Sequence, residues 1–201
     1  QKISVSIITS KPFHSIAIVL TLVIGIVLLF VPLRKEKLLS QASNTSLIGQ
    51  TTFNEISPSE LAFKIVNNDK SIAIVDIRSA ELFSKLALPN SVNIPTELLM
   101  NREYEDFFGN VNKKKVLVGN SMDEEKSASL LLSKLGFKQI YILQGGFESF
   151  SNQILHYNAS QTQFNGDEKE FIIRAQSVIN EMIAKEKKPK IQKKVLSKTK
   201  G

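Results

Sequence analysis

The sequence contains no cysteine, and this absence excludes a wide range of chemistry. Without a thiolate there is no disulfide, no cysteine metal ligand, no iron–sulfur ligation and no cysteine nucleophile. Histidine is scarce, because only His14 and His156 occur among 201 residues, and a multi-histidine metal site is therefore excluded too. Tryptophan is missing, and nine glycines argue against a glycine-rich phosphate loop. The composition predicts a protein that holds no metal and no cofactor.

Charge is unevenly distributed along the chain. The formal net charge is +7, and the segment from Lys185 to Lys200, with eight Lys and one Glu, carries all of that excess. A neutral body with one basic tail argues against a domain built around nucleic acid. The tail could be a solvated end, or it could bind anionic lipid or the phosphates of ribosomal or other RNA. Its candidate contacts are Lys187, Lys188, Lys190, Lys193 and Lys194.

The longest apolar run lies near the N-terminus. Residues 12–33 contain no Asp, Glu, Lys or Arg. Because roughly 20 helical residues cross a ~30 Å hydrocarbon core, the run predicts a single transmembrane helix; a buried core helix and a cleavable signal peptide are the alternatives. Arg34, Lys35 and Lys37 follow the run, whereas Lys2 and Lys11 precede it. The positive-inside rule therefore favours a cytoplasmic location for the rest of the chain.

The middle of the chain alternates helix and strand signals. Ser57-Pro58-Ser59-Glu60 is typical of a capped helix start, and the pattern predicts a helix through Val66. Short apolar runs at 71–75, 115–118 and 140–143 predict buried strands, and 126–135 predicts a helix closed by Gly136. Strands separated by helices indicate an α/β fold with a mostly parallel sheet.

Three motifs in this region resemble those of the rhodanese family. Residues 74–95 are similar to the family's "DVR-x-x-x-E-F-x-x-GHIPGA-x-NIP" pattern, with Asp76 and Arg78 on marked positions. Residues 56–61 resemble its opening "I-x-P-x-E-L", and residues 135–147 its closing "LGF-x-x-V-x-x-L-x-GG". The resemblance implies a three-layer rhodanese-like domain. Because Asp76 and Arg78 follow a strand, we expect the pair to hold a loop in place rather than to perform chemistry.

The resemblance breaks where an active rhodanese carries its nucleophile. The family has a "C-x-x-G-x-R" loop after the central strand, and here Ser121 or, with a one-residue slip, Asn120 stands at the cysteine position. Lys126 stands at the position of the loop arginine. A serine hydroxyl cannot hold a persulfide, so we predict no sulfurtransferase activity and no catalytic residue. The six loop residues are instead a candidate partner surface: Ser121, Met122, Asp123, Glu124, Glu125 and Lys126.

A second amphipathic segment follows the predicted domain. Apolar residues of 167–186 recur with helical spacing, so this helix could pack on the domain, on a partner helix or on a membrane surface. The predicted organisation is a stub at 1–14, a transmembrane helix at 15–33, a linker at 34–52, a rhodanese-like domain at 53–155, an amphipathic helix at 167–186 and a basic tail at 187–201.

The pattern as a whole predicts a single-pass membrane protein with a catalytically inactive rhodanese-like domain. We expect it to act as a scaffold subunit or adaptor in a membrane protein complex. One alternative is a sulfurtransferase relay in which a partner supplies the cysteine. Another is a protein that tethers lipid, ribosomes or RNA through its basic tail.

Overall fold

The computed structural model describes residues 13–158 and 166–187. The described residues form one five-stranded sheet with helices on both faces. Its strands are β1 Asn54–Ile56, β2 Ile72–Asp76, β3 Val92–Asn93, β4 Lys114–Val118 and β5 Ile140–Leu143. Its α-helices are α1 Phe13–Ala42, α2 Thr45–Gln50, α3 Pro58–Val66, α4 Ala80–Lys85, α5 Glu105–Gly109, α6 Met122–Lys134, α7 Gly146–Phe150 and α8 Gly166–Lys187.

The sheet is parallel throughout and has the order β1-β5-β4-β2-β3. The α/β architecture expected from the sequence is therefore confirmed, and the three predicted strands correspond to β2, β4 and β5. Each of these is a short apolar run because helices cover both faces of a parallel sheet. In β4, Val116 and Val118 face one layer of helices, whereas Leu117 faces the other. The centre of the sheet is thus fully enclosed.

Helix caps explain where two of the helices begin. Ser57 caps α3 by accepting a 3.1 Å hydrogen bond from the N–H of Glu60, as the sequence predicts. The predicted helix at 126–135 begins four residues earlier, at Met122, because Ser121 caps α6. This cap brings the acidic residues 123–125 into the first turn, where the helix dipole favours negative charge.

The segment predicted to be a linker, 34–52, is mostly helical. The helix α1 continues through its charged residues to Ala42, and α2 follows at once with Asn44 as its cap. The exposed fraction of Ala42 is 4%, because this residue packs in the cluster that α6 forms on one face of the sheet. The end of α1 is therefore part of the domain and not a flexible connection.

The predicted transmembrane helix at 15–33 lies within α1. Among the described residues, no helix has both the length and the apolar character that crossing a bilayer requires. The described structure therefore does not support the predicted span. The predicted stub, apart from its last two residues, lies outside the described residues.

The helix α8 closes the other face of the domain. Its apolar face is buried against α3 and the helical turn at Ser151–Leu155, and it comprises Ile172, Ala175, Ile179 and Ile183. Gln176 donates to the carbonyl oxygens of Leu155 and Tyr157 at 3.1 and 3.3 Å. Of the three predicted uses of the amphipathic segment, the structure shows packing on the domain. The predicted basic tail lies outside the described residues, apart from Lys187, which ends α8.

Candidate functional site

The connection from β4 to α6 lies at the carboxyl edge of the sheet, beside its central strand. It consists of Gly119, Asn120 and Ser121, after which α6 begins directly at Met122. The Ser121 hydroxyl accepts a 3.3 Å hydrogen bond from the N–H of Glu124 and so serves as the helix cap. Among the described contacts of Ser121 there is no basic side chain that could deprotonate it. A serine nucleophile needs such a base.

Glu125 occupies the space beneath this connection. Its side chain is fully buried, and its Oε1 accepts a 2.7 Å hydrogen bond from the backbone N–H of Gly119. Its Oε2 has no hydrogen-bond partner among the described residues. Burial raises the pKa of Glu125 to about 9, although the hydrogen bond from Gly119 acts in the opposite direction. The carboxyl group is therefore neutral at pH 7 and is held under the loop as an acid.

Glu124 holds the next residue of the connection. Its Oε2 accepts hydrogen bonds from the backbone N–H of Asn120 at 2.8 Å and from the Asn120 side-chain amide at 3.0 Å. Glu124 and Glu125 of α6 therefore each supply a carboxyl oxygen to one of the first two backbone N–H groups after β4. Backbone N–H groups in front of a helix N-terminus form a natural anion site. In this chain, side chains of the same helix already occupy that site.

The glycine pair after β5 packs closely against the connection. The N–H of Phe147 donates to the carbonyl oxygen of Gly119 at 2.9 Å. Gly146 has a φ of +67°, and a Cβ added there would lie 3.2 Å from the carbonyl oxygens of Gly119 and Asn120. A side chain at Gly146 would thus be strained by its backbone conformation and crowded by backbone atoms. Close packing and hydrogen bonds together fix the shape of the connection.

Asp76 and Arg78 form a buried ion pair next to the site. Nη2 of Arg78 lies 2.6 Å from Oδ2 of Asp76, and its Nε donates to Oδ1 at 2.9 Å. The same Nη2 donates to the carbonyl oxygen of Leu86, which lies just after α4. The guanidinium also stacks 3.6 Å from the ring centre of Phe147. The pair thereby joins the end of β2 to the segment after α4 and to the turn after β5.

The structure brings the six predicted loop residues to one place but divides them by exposure. Ser121 and Asp123 are exposed, whereas Met122, Glu124 and Lys126 are half-buried. Glu125 is buried, so it cannot contribute to a partner surface in this conformation. The burial of Glu125 could be predicted from helical spacing, because Glu125 shares a face of α6 with Ala128 and Leu132. The contact of Gly146 and Phe147 with the connection is not predicted from the sequence, although both residues belong to the closing motif.

Among the described residues, no group of three or more His, Asp or Glu side chains could hold a metal ion. The described side chains at the connection supply neither a thiolate nor a base for Ser121.

The sequence matches one family model, and several solved structures are similar to part of this chain. The family model described as rhodanese-like domain matches residues 57–153. A comparison with curated protein sequences returns no match. Among solved structures, a rhodanese-related protein from Thermoplasma volcanium is 23% identical; the match covers 49% of this chain and 90% of that chain, with a TM-score of 0.42.

Two further solved structures are similar to this chain at lower identity. A single-domain sulfurtransferase from Saccharomyces cerevisiae is 15% identical, with a TM-score of 0.43, and the match covers 50% of this chain and 89% of that chain. A rhodanese-like domain from Anabaena is also 15% identical, with a TM-score of 0.43, and here the match covers 57% of this chain and 90% of that chain.

Proposed function

Since the chain belongs to the rhodanese-like domain family through residues 57–153, we propose that it is a non-catalytic member that acts as a binding subunit or adaptor of a membrane protein complex. One observation carries this proposal above the others. The backbone N–H groups of Gly119 and Asn120, which follow the central strand, are held by Glu125 and Glu124 of the same chain. Carboxyl groups of the chain itself thus occupy the loop at the place where an active member would hold its sulfur.

The absence of cysteine supports a non-catalytic role on chemical grounds. Sulfur transfer in this family proceeds through a cysteine persulfide, whereas this chain has no cysteine anywhere. An anionic donor such as thiosulfate would need free N–H groups or positive charge at the loop. Instead, the acidic side chains of Glu124 and Asp123 would repel it. The scaffold is preserved although the reaction is not, and this combination favours a role in binding.

The exposed rim of the loop is the surface that we propose for the partner. Asp123 is exposed in the first turn of α6, and Glu97 and Glu148 are exposed on the segments after β3 and β5. Parallel strands bring these segments to the same carboxyl edge of the sheet. The rim therefore presents negative charge, which complements a basic patch on a partner protein.

Membrane attachment through α1 is the second part of the proposal. All described side chains from Ile16 to Val27 are exposed, although nearly all of them are apolar. A helix that is apolar on every side is stable when lipid or protein covers it. Because the end of α1 packs on α6, the anchor would hold the loop at a fixed distance from the bilayer. Lys37 and its basic neighbours favour placing the domain on the cytoplasmic side.

Charge reversal of Asp123 tests the binding surface. The full chain is purified under gentle detergent extraction, and the stoichiometry of the co-purifying subunits is measured for wild type and for Asp123→Lys. Glu170→Lys is the matched control, because Glu170 is exposed on α8, away from the loop. The proposal predicts loss of the partners only in Asp123→Lys. Purification as a lone monomer, or equal recovery in both variants, would contradict it.

Carbonate extraction tests the membrane attachment separately. The proposal predicts that the chain remains with the membrane pellet at high pH, and that Val19→Lys combined with Val23→Lys releases it. Both positions lie in the exposed apolar part of α1, at 59% and 49% exposure, so the change leaves the domain core untouched. Release of the unmodified chain by carbonate would contradict attachment by insertion.

A further inference from the structure

A pocket lies at the edge of the sheet opposite to the loop. It has a volume of about 210 Å³ and opens between the amino ends of β2, β3 and β4. Because all five strands are parallel, their amino ends meet at this edge, away from Gly119 and Ser121. The pocket is therefore separate from the site described above.

Apolar side chains form the floor of this pocket. Ile72 and Ala73 come from β2, Val92 from β3, and Phe107 from α5. Val92 is 44% exposed, and it belongs to β3, which is an edge strand of the sheet. The floor thus offers apolar contact to a molecule that enters from solvent. Since ligand pockets of ~300–1,000 Å³ are typical for larger molecules, this pocket suits a single small group.

The rim of the pocket carries positive charge. Its charged residues are three lysines and one aspartate: Lys64, Lys70, Lys113 and Asp69. Asp69 is already engaged, because its Oδ1 accepts from the N–H of Ser71 at 2.8 Å and its Oδ2 lies 3.2 Å from Nζ of Lys64. These hydrogen bonds lower the pKa of Asp69 to about 2, so it stays ionised and neutralises Lys64.

The other two lysines lack a carboxylate partner among the described ion pairs. The Nζ atom of Lys70 donates to Oδ1 of Asn68 at 2.6 Å, and this contact holds the ammonium group at the rim. Asn68 itself has a φ of +52°, in the turn between α3 and β2. An ammonium group held by a neutral oxygen can still bind an anion with its remaining N–H groups.

We propose that this pocket binds a small amphipathic anion, in which a carboxylate or phosphate group is attached to an apolar group about the size of one ring. The oxyanion lies on Lys70 and Lys113, and the apolar group lies on Val92, Ile72 and Phe107. Neither half of the pocket suffices alone, because the floor cannot hold a bare ion and the rim gives an uncharged ring no electrostatic contact. This inference does not depend on the function proposed for the loop.

The test is a titration of the full ¹⁵N-labelled chain in micelles of an uncharged detergent. The probes are phenyl phosphate and benzoate, with inorganic phosphate and benzyl alcohol as the controls that lack one half of the ligand. We expect saturable shifts of the amide signals of Asn68, Lys70 and Val92 with one or both probes. Each control should bind at least about tenfold more weakly, because it loses either the charge-assisted hydrogen bonds or the apolar contact. Which probe binds more tightly distinguishes a carboxylate from a phosphate ligand.

Variants decide whether the shifts come from the pocket. Lys70→Gln combined with Lys113→Gln should weaken probe binding at least about tenfold. Val92→Glu, which places a negative charge on the floor, should weaken it as well. Lys134→Gln is the matched control, since Lys134 is exposed at the end of α6. The inference is overturned if the probes give no saturable shift, or if the double variant binds them as tightly as wild type does.

Discussion

The backbone N–H of Gly119 donates a 2.7 Å hydrogen bond to Oε1 of Glu125, whose side chain is fully buried. This contact places a carboxyl group directly beneath the first residue after the central strand. Burial raises the pKa of Glu125 to about 9 from its ordinary value of 4.5, so the group is protonated in the folded chain at neutral pH. The contact therefore couples the shape of the loop to the protonation of one residue.

The pH dependence of stability should reveal this protonation. Because the pKa of Glu125 is higher in the folded chain, the folded state binds more protons than the unfolded state between about pH 4.5 and about pH 9. Its contribution to stability is complete below pH 4.5 and falls as pH rises, by up to ~1.4 kcal/mol per unit. In Glu125→Gln, denaturant unfolding between pH 5 and 9 should lose most of this slope.

The matched control for this measurement is Glu170→Gln, because Glu170 is exposed on α8, away from the loop and from Glu125. Its unfolding free energy should keep the slope of the wild type. The lowered pKa of Asp69 does not interfere, since its stabilising contribution is lost only below about pH 4. A slope that survives unchanged in Glu125→Gln would show that this carboxyl group is not the origin.

The ion pair of Asp76 and Arg78 should be important for stability. Removing one partner of a buried pair leaves an uncompensated charge, so Arg78→Ala should lower the unfolding free energy by about 3–5 kcal/mol. Arg78→Lys should recover only part of this, because lysine lacks the fork that contacts both Asp76 and Leu86. The comparison is Lys85→Ala, which breaks the exposed pair with Glu81 and should change stability little. Equal losses at the two sites would contradict this role of the buried pair.

Gly146 should be sensitive to any side chain. Gly146→Ala and Gly136→Ala both place alanine at a positive φ, of +67° and +94° respectively. Only at Gly146 would the new Cβ lie 3.2 Å from backbone atoms of the connection, whereas at Gly136 it meets nothing within 4 Å. We therefore expect Gly146→Ala to lose about 1–3 kcal/mol more than Gly136→Ala in denaturant unfolding. Equal losses would mean that the close approach contributes nothing.

Much of the fold could be predicted from the sequence, because its signals are local. The apolar runs of β2, β4 and β5 and the cap at Ser57 each depend on residues within a few positions of one another. Strand β3 was not predicted, since two residues carry too little pattern. The continuation of α1 to Ala42 was also not predicted. Residues 34–42 have a polar composition, and the packing of Ala42 against α6 is a tertiary contact that the sequence does not show.

The position of the site could be predicted from the sequence, but the contacts of its side chains could not. The motif placed residues 121–126 together, and the missing cysteine was evident. That Glu125 points inward and Glu124 back to Asn120 depends on which face of α6 the sheet covers. This is a tertiary property, and three consecutive acidic residues give no local sign of it. All six loop residues are therefore predicted to form a partner surface, although Glu125 is buried and Glu124 is half-buried.

The most direct test of the account is the sulfurtransferase activity of Ser121→Cys, with thiosulfate and cyanide as substrates and thiocyanate as the measured product. A competent thiolate needs hydrogen-bond donors and positive charge to lower its pKa from about 8.5. Here the N–H groups of Gly119 and Asn120 are held by Glu125 and Glu124, and Asp123 adds negative charge. We predict thiocyanate production no higher than that of the unmodified chain, although alkylation confirms a reactive thiol. Turnover approaching that of an active rhodanese would contradict the claim that the chain's own carboxyl groups fill the loop.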